Sequence, residues 1–194
     1  MTESPGDVLR EFDQFLCDAI AAFSFARLGL RSVAETTAAL PAMAQNPDPM
    51  HYIGVGDPTS PESFWAWRRS ELLWQVAPDG PAETYLSQQW IAYAYDGWQE
   101  VYRPRLAAAH GCAKADLRYP VLGDLRHLRN DVVHHRGVAT THNTGRCSVL
   151  SHWFKAGDVI RLRDEHFVEF RSLLPWDRMA TAPRRSGGAR DGQR

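Results

Sequence analysis

The feature that most constrains how this 194-residue chain can fold is a helical repeat of apolar residues that returns in segment after segment. From Asp7 to Leu30, the residues Leu9, Phe12, Leu16, Ala19, Ile20, Phe23 and Leu30 recur at three- and four-residue spacing, behind a cap and first turn at Ser4-Pro5. Val33–Met43 either extends this helix or forms a second one, with Pro41 near its end. A helix over Phe64–Val76 follows, with Ser63 as its cap and Trp67 and Trp74 on one face. A long helix runs from Glu83 to His110 through Trp90, Ala94, Trp98 and Val101, with a kink expected at Pro104. Beyond Tyr119-Pro120 comes the helix of VLGDLRHLRNDVVHHRG, stopped by Gly137, and Glu165–Leu174 repeats the pattern through Phe167 and Phe170 until Pro175.

The breaks fall where Pro and Gly gather: a loop over Asn46–Pro61 and the turn Pro78-Asp79-Gly80-Pro81. Ser148–Phe154 and Val159–Leu162 are expected as two short strands around Lys155-Ala156-Gly157-Asp158. The sequence thus predicts a mainly α domain over residues 1–178, with a short β-hairpin near its C-terminus. Residues 179–194, ending APRRSGGARDGQR, are expected as a disordered Arg/Gly-rich tail.

Composition narrows the function classes. A hydrophobic fraction of 44% and a charged fraction of 23% are those of a globular domain. Net charge is −1, which excludes a histone-like electrostatic binder, although twenty Arg stand against two Lys. No apolar run is long enough to span a membrane, so none is expected among the partners. The acidic opening MTESPGDVLREFDQF lacks the order of a secretion signal, and a cytoplasmic location is expected. Cys17, Cys112 and Cys147 are odd in number and widely spaced, which fits a reducing compartment rather than a disulfide framework or thiolate metal site.

The segment after Pro120 carries the chemistry. With Val121 at zero on a wheel of about 100° per residue, Leu125, Leu128 and Val132 form the buried stripe. Asn130 then lies at about 180°, His134 at about 220° and His127 at about 240°, facing away from that stripe. Arg129, at about 80°, and Asp131, at about 280°, flank them, while His135 falls back toward the stripe. Asn130 and His134, one turn apart, can act on one object, and Arg129 is long enough to reach it.

The order Arg129-Asn130-x-x-x-His134 resembles the R-x(4–6)-H motif of the HEPN superfamily, in whose catalytic branch a polar residue follows the Arg. The wider string LRHLRNDVVHHRG is similar to the motif helix of small bacterial members. The resemblance implies a HEPN-like helical bundle, usually a homodimer, in which two motif helices build one composite, metal-independent ribonuclease site. On this reading His134 is the acid/base, Arg129 the phosphate stabiliser and Asn130 the orienting group, with no cofactor. Arg126, His127, Asp131, His135 and Arg136 are candidate RNA-binding or supporting residues. The expected partners are an RNA substrate, a second copy, and an antitoxin or other regulatory protein, since such members often act in toxin–antitoxin systems or antiviral defence. The alternative is a non-catalytic HEPN-like module that binds nucleotide, RNA or a protein partner.

Spacing alone is weak, because about 0.8 Arg-x4-His pairs are expected by chance from this composition. Three occur: Arg105–His110, Arg129–His134 and Arg161–His166. Only the middle one combines a polar follower, an outward polar face and a capped helix. A metal site on His127, Asp131 and His134 is the sharper rival, being within about 60° on the wheel. It is set aside because that face points away from the core and no second ligand cluster is evident. Trp67, Trp74, Trp90 and Trp98 are expected in the core rather than as base-stacking platforms.

Overall fold

A computed structural model describes residues 3–39, 46–53 and 65–183. The architecture is mainly helical, with one two-stranded antiparallel sheet. The first helix, α1 (Pro5–Ala39), is a single continuous rod, which settles the choice left open at Val33. Ser4 caps it, its Oγ accepting from the Asp7 N–H at 3.2 Å. Its buried face is Val8, Leu9, Phe12, Leu16, Ala19 and Phe23, while farther along the rod Phe25, Leu28 and Val33 are exposed. Residues 40–45, with Pro41 and Met43, lie outside the described residues.

The sheet is not where the sequence placed it. β1 (Met50–Ile53) and β2 (Trp65–Arg68) pair with Met50 opposite Arg68, in the stretch expected as loop and helix start. α2 (Arg69–Val76) therefore begins later than expected. Its cap comes from across the sheet: Asp48 accepts from Ser70 N–H and Ser70 Oγ, both at 2.8 Å. Ser63, the expected cap, and 54–61 of the expected loop are outside the described residues. Trp74 on α2 is 63% exposed, so the seven-residue Trp spacing there does not mark a core face.

The long helix is present as α3 (Pro81–Asp96) and α4 (Arg103–His110), joined by a π-helical turn over Gly97–Tyr102. Proline is the local cause. Pro104 has no N–H for the carbonyl one turn back and its ring crowds that turn, so the helix widens just before it. Arg103 N–H accordingly donates five residues back, to Trp98 C=O. α1 crosses this turn closely, because any Cβ at Gly97 would collide with the Phe15 ring. Phe12 of α1 meets Trp98 at 5.3 Å and Tyr102 at 5.1 Å between ring centroids.

α5 (Pro120–His134) packs along α3, and α6 (Asp164–Leu173) closes the core with Phe167 and Phe170 against Trp90. α7 (Trp176–Ala180) follows, and its Met179 is fully buried, so the core runs past the expected limit at 178. Residues 184–194, most of the expected tail, lie outside the described residues. Among the described residues, no helix is long and apolar enough to cross a membrane.

The expected C-terminal hairpin is absent. Between 148 and 162 the chain makes turns, and Val159 bridges antiparallel to Val138 instead. Two observations explain this. Asp124 accepts the N–H groups of Ser148, Val149 and Leu150 at 2.9, 2.6 and 2.9 Å, which removes those donors from any strand ladder. Trp153 and Phe154 are both buried, whereas a strand would send adjacent side chains to opposite faces.

Candidate functional site on the α5 helix

The α5 helix is covered on two sides, not one. Pro120 occupies the first helical turn, where its missing N–H costs nothing, and Val121, Leu125 and Leu128 are buried against the bundle. The second covered side carries Asp124 and Asp131, seven residues apart and so nearly in line on the helix. Asp131, at 0% exposure, accepts from Thr140 N–H (2.8 Å) and Oγ1 (2.7 Å), Asn143 Nδ2 (2.8 Å), and Thr144 N–H (3.1 Å) and Oγ1 (2.6 Å). Burial pushes the Asp131 pKa up, but the hydrogen bonds from Thr144, Asn143 and Thr140 outweigh it and hold the carboxyl below its ordinary value.

This corrects the expectation for Asp131. It is a clasp for the loop at 140–144, not a supporting group on the outward face, and it does not join His127 and His134 as a metal ligand. His127 is half-buried. Its Nδ1 is buried without a hydrogen-bond partner, and burial first, then Arg126, lowers its pKa. It therefore belongs to the edge of the site. His135 is also corrected: α5 ends at His134, so His135 leaves the helical path and is exposed rather than turned to the core. Arg136, exposed at φ 54°, and Gly137, at φ 71°, make the left-handed exit, with Gly137 N–H donating to Asp131 C=O at 3.1 Å.

What remains open is a narrow strip. Arg126 and His134 are exposed and Asn130 is half-buried between them. Arg129 sits on the shoulder facing α3, 28% exposed, its Nε 3.5 Å from Asp96 Oδ1. Asn130 and His134 have no hydrogen bond or ion pair within the described residues, so both are available to an incoming group. The rival Arg-x4-His pairs are occupied. Arg105 is held by Glu3 and Glu11, and His110 Nε2 lies 2.9 Å from Met179 C=O. Arg161 donates to Thr84 at 2.8 Å, and His166 Nδ1 accepts from Arg163 N–H at 2.8 Å.

Cys147 is buried beside the two aspartates, and burial, then Asp124 and Asp131, push its thiol up to about 12, away from the thiolate form a nucleophile needs. Toward its N-terminal end the strip runs into a cleft of about 620 Å³, to which α5 contributes Pro120, Leu122, Gly123 and Arg126. The residues on its far walls, Arg103, Arg118 and Arg178, carry no motif signal and come from separate elements. Comparison with family models, curated proteins and solved structures finds no match to this chain.

Proposed function

We propose that the protein is a metal-independent endoribonuclease of HEPN type, whose site is completed when two copies bring their α5 helices together. The observation that carries this reading is the pair Asn130 and His134, one turn apart at the end of α5 and without a hydrogen bond or ion pair among the described residues. Transesterification of RNA needs a group that moves protons near neutral pH, which an accessible imidazole supplies. His134 takes the proton of the 2′-hydroxyl or returns one to the 5′-oxygen leaving group. The phosphorane gathers negative charge, and Arg129, with its exposed neighbour Arg126, offers guanidinium groups to it. Asn130 orients the phosphate or the 2′-hydroxyl. The products are a 2′,3′-cyclic phosphate and a 5′-hydroxyl end, and DNA, lacking the nucleophile, is inert. An RNA-directed toxin or antiviral defence role, with an antitoxin or other regulator as partner, fits such chemistry.

One observation favours a second reading, a HEPN-like module that binds nucleotide, RNA or a protein partner without cutting. Arg129 is tied to Asp96 of its own chain and its Nε is buried, so its charge is partly spent. Labelled RNA incubated with the purified protein in EDTA separates the two. Cyclic-phosphate ends that fall roughly 100-fold or more in His134→Ala support the nuclease. Cleavage lost in EDTA contradicts the metal-independent chemistry, and intact RNA at high protein concentration supports the second reading.

A further inference from the structure

The cleft at the N-terminal end of α5 is lined by four arginines from four separate places: Arg103 of α4, Arg118 of the preceding loop, Arg126 of α5 and Arg178 of α7. No aspartate or glutamate lines it, and none of the four lies within ion-pair distance of a carboxylate among the described residues. Arg31, Arg68, Arg69, Arg136 and Arg146 likewise have no carboxylate partner among the described residues, but only Arg103, Arg118, Arg126 and Arg178 line one concavity. Arg10, Arg27, Arg105, Arg129, Arg161, Arg163 and Arg171 each have a carboxylate partner. Four like charges around one concavity repel each other and raise a positive potential that an anion would relieve.

Three of the guanidinium groups are also held in place. Arg103 donates Nε–H to Lys114 C=O at 3.1 Å and an Nη to Gln99 Oε1 at 2.9 Å. Arg118 donates Nε–H to Ala115 C=O at 2.9 Å, and both its Nη groups are without a hydrogen-bond partner among the described residues. Arg178 lies over the Tyr119 ring at 6.0 Å. Anchoring through Nε while the Nη fork stays free, as in Arg118, suits a guanidinium to the oxygens of a phosphate. The rest of the lining is mostly apolar: the half-buried Tyr95 and the buried Trp98 and Tyr119 contribute ring atoms, the last two edge-to-face at 5.8 Å. Gln99 is the one polar side chain there besides the arginines, the Tyr hydroxyls and the Trp N–H. A volume of about 620 Å³ is that of a site for a small organic ligand rather than a bare ion.

We infer that this cleft binds a nucleotide 5′-phosphate, its arginines on the phosphate and its aromatic wall against the base. The ligand is either a free mononucleotide or the 5′-phosphorylated end of an RNA strand, since both offer the same group. Arg126 lies eight residues, or about 12 Å of helix rise, from His134. A strand whose end is held in the cleft would therefore extend along α5 toward Asn130 and His134. Binding in the cleft does not require that His134 cleaves anything.

Calorimetric titration of the full chain with adenosine 5′-monophosphate, adenosine and inorganic phosphate tests this. The expected result is binding of the nucleotide roughly tenfold or more tighter than of either fragment. Two variants localise it. Arg118→Ala with Arg178→Ala removes charge, and Gly123→Leu fills the cleft where an added Cβ meets nothing within 4 Å, so neither is expected to lower Tm appreciably. Each should weaken nucleotide binding roughly tenfold or more. A 5′-phosphorylated trinucleotide that binds more tightly than both the mononucleotide and its 5′-hydroxyl form identifies the strand end, and equal affinities identify the free nucleotide. No binding at millimolar nucleotide, equal affinity for nucleotide and adenosine, or unchanged affinity in both variants overturns the inference. A protein that binds the mononucleotide yet leaves RNA intact loses the nuclease reading and keeps this one.

Discussion

Replacing Asp131 with alanine removes the one acceptor shared by five donors of the loop at 140–144. The two threonine hydroxyls can rotate to other acceptors. The Thr140 and Thr144 N–H groups and the Asn143 amide cannot, and Asn143 and Thr144 are themselves buried. A buried donor left unsatisfied costs about 1–3 kcal/mol, and some water will enter the vacated space, so the net loss is about 3–5 kcal/mol. For a domain of this size that lowers Tm by roughly 6–20 °C. Asp131→Asn keeps the shape and one acceptor oxygen and should cost roughly half as much. The pH dependence supplies a second readout. Because the folded carboxyl sits below its ordinary value, its stabilisation is complete above the unfolded pKa of about 3.9 and is lost as pH falls through the folded value. The acid limb of the stability curve should therefore be shallower in Asp131→Asn. Calorimetric melts of the three proteins from pH 7 to pH 3 measure both effects. A Tm loss under about 3 °C in the alanine variant, or an acid limb identical in all three, would refute the clasp.

Two further stability predictions follow from local geometry. Gly137→Ala should cost about 2–3 kcal/mol, because φ is 71° and the new Cβ would meet the Gln88 amide that donates to Ile160 C=O at 3.2 Å. Gly111→Ala, at φ 63° in open space, should cost only about 1–2 kcal/mol, and urea unfolding that ranks the two the other way would contradict this. His166 accepts the Arg163 N–H at the start of α6, and burial, followed by Arg163 and His152, lowers its pKa. Its stabilisation is therefore full above about pH 6.5 and is lost as pH falls through the lower folded value. His166→Gln keeps a capping acceptor but does not titrate, so its Tm should fall less between pH 7 and pH 5; His127, also lowered by burial, retains its share of the fall.

The helices, and the strip on α5, were legible because both rest on local rules. A three- to four-residue apolar repeat and a Pro or Gly at each end need nothing beyond the segment itself, which is why α1, α3 through α4, α5 and α6 fall near their expected places. Counting residues from Val121 puts Asn130 and His134 away from the buried stripe, and in the structure His134 is exposed and Asn130 half-buried. The wheel failed at Asp131, because it knows one buried stripe and cannot see that a second wall, the loop from 138 to 150, covers the other flank. The hairpin failed for the same reason: whether Ser148–Leu150 makes a ladder depends on whether Asp124, 24 residues earlier, takes its N–H groups first. Trp67 and Trp74 show the converse: Trp67 lies on β2 and Trp74 on α2, so their seven-residue spacing marks no common helix face, and Trp74 is exposed.

The sequence by itself determined which segments are helical and which polar groups of α5 lie on a common side, since backbone geometry sets both within a few residues. Tertiary structure alone decided which of those groups stay free, where the sheet forms, and that Arg103, Arg118, Arg126 and Arg178 surround one cleft. The physical reason is that availability, pairing and electrostatic potential depend on neighbours in space, and those neighbours are brought together only when the chain closes on its core.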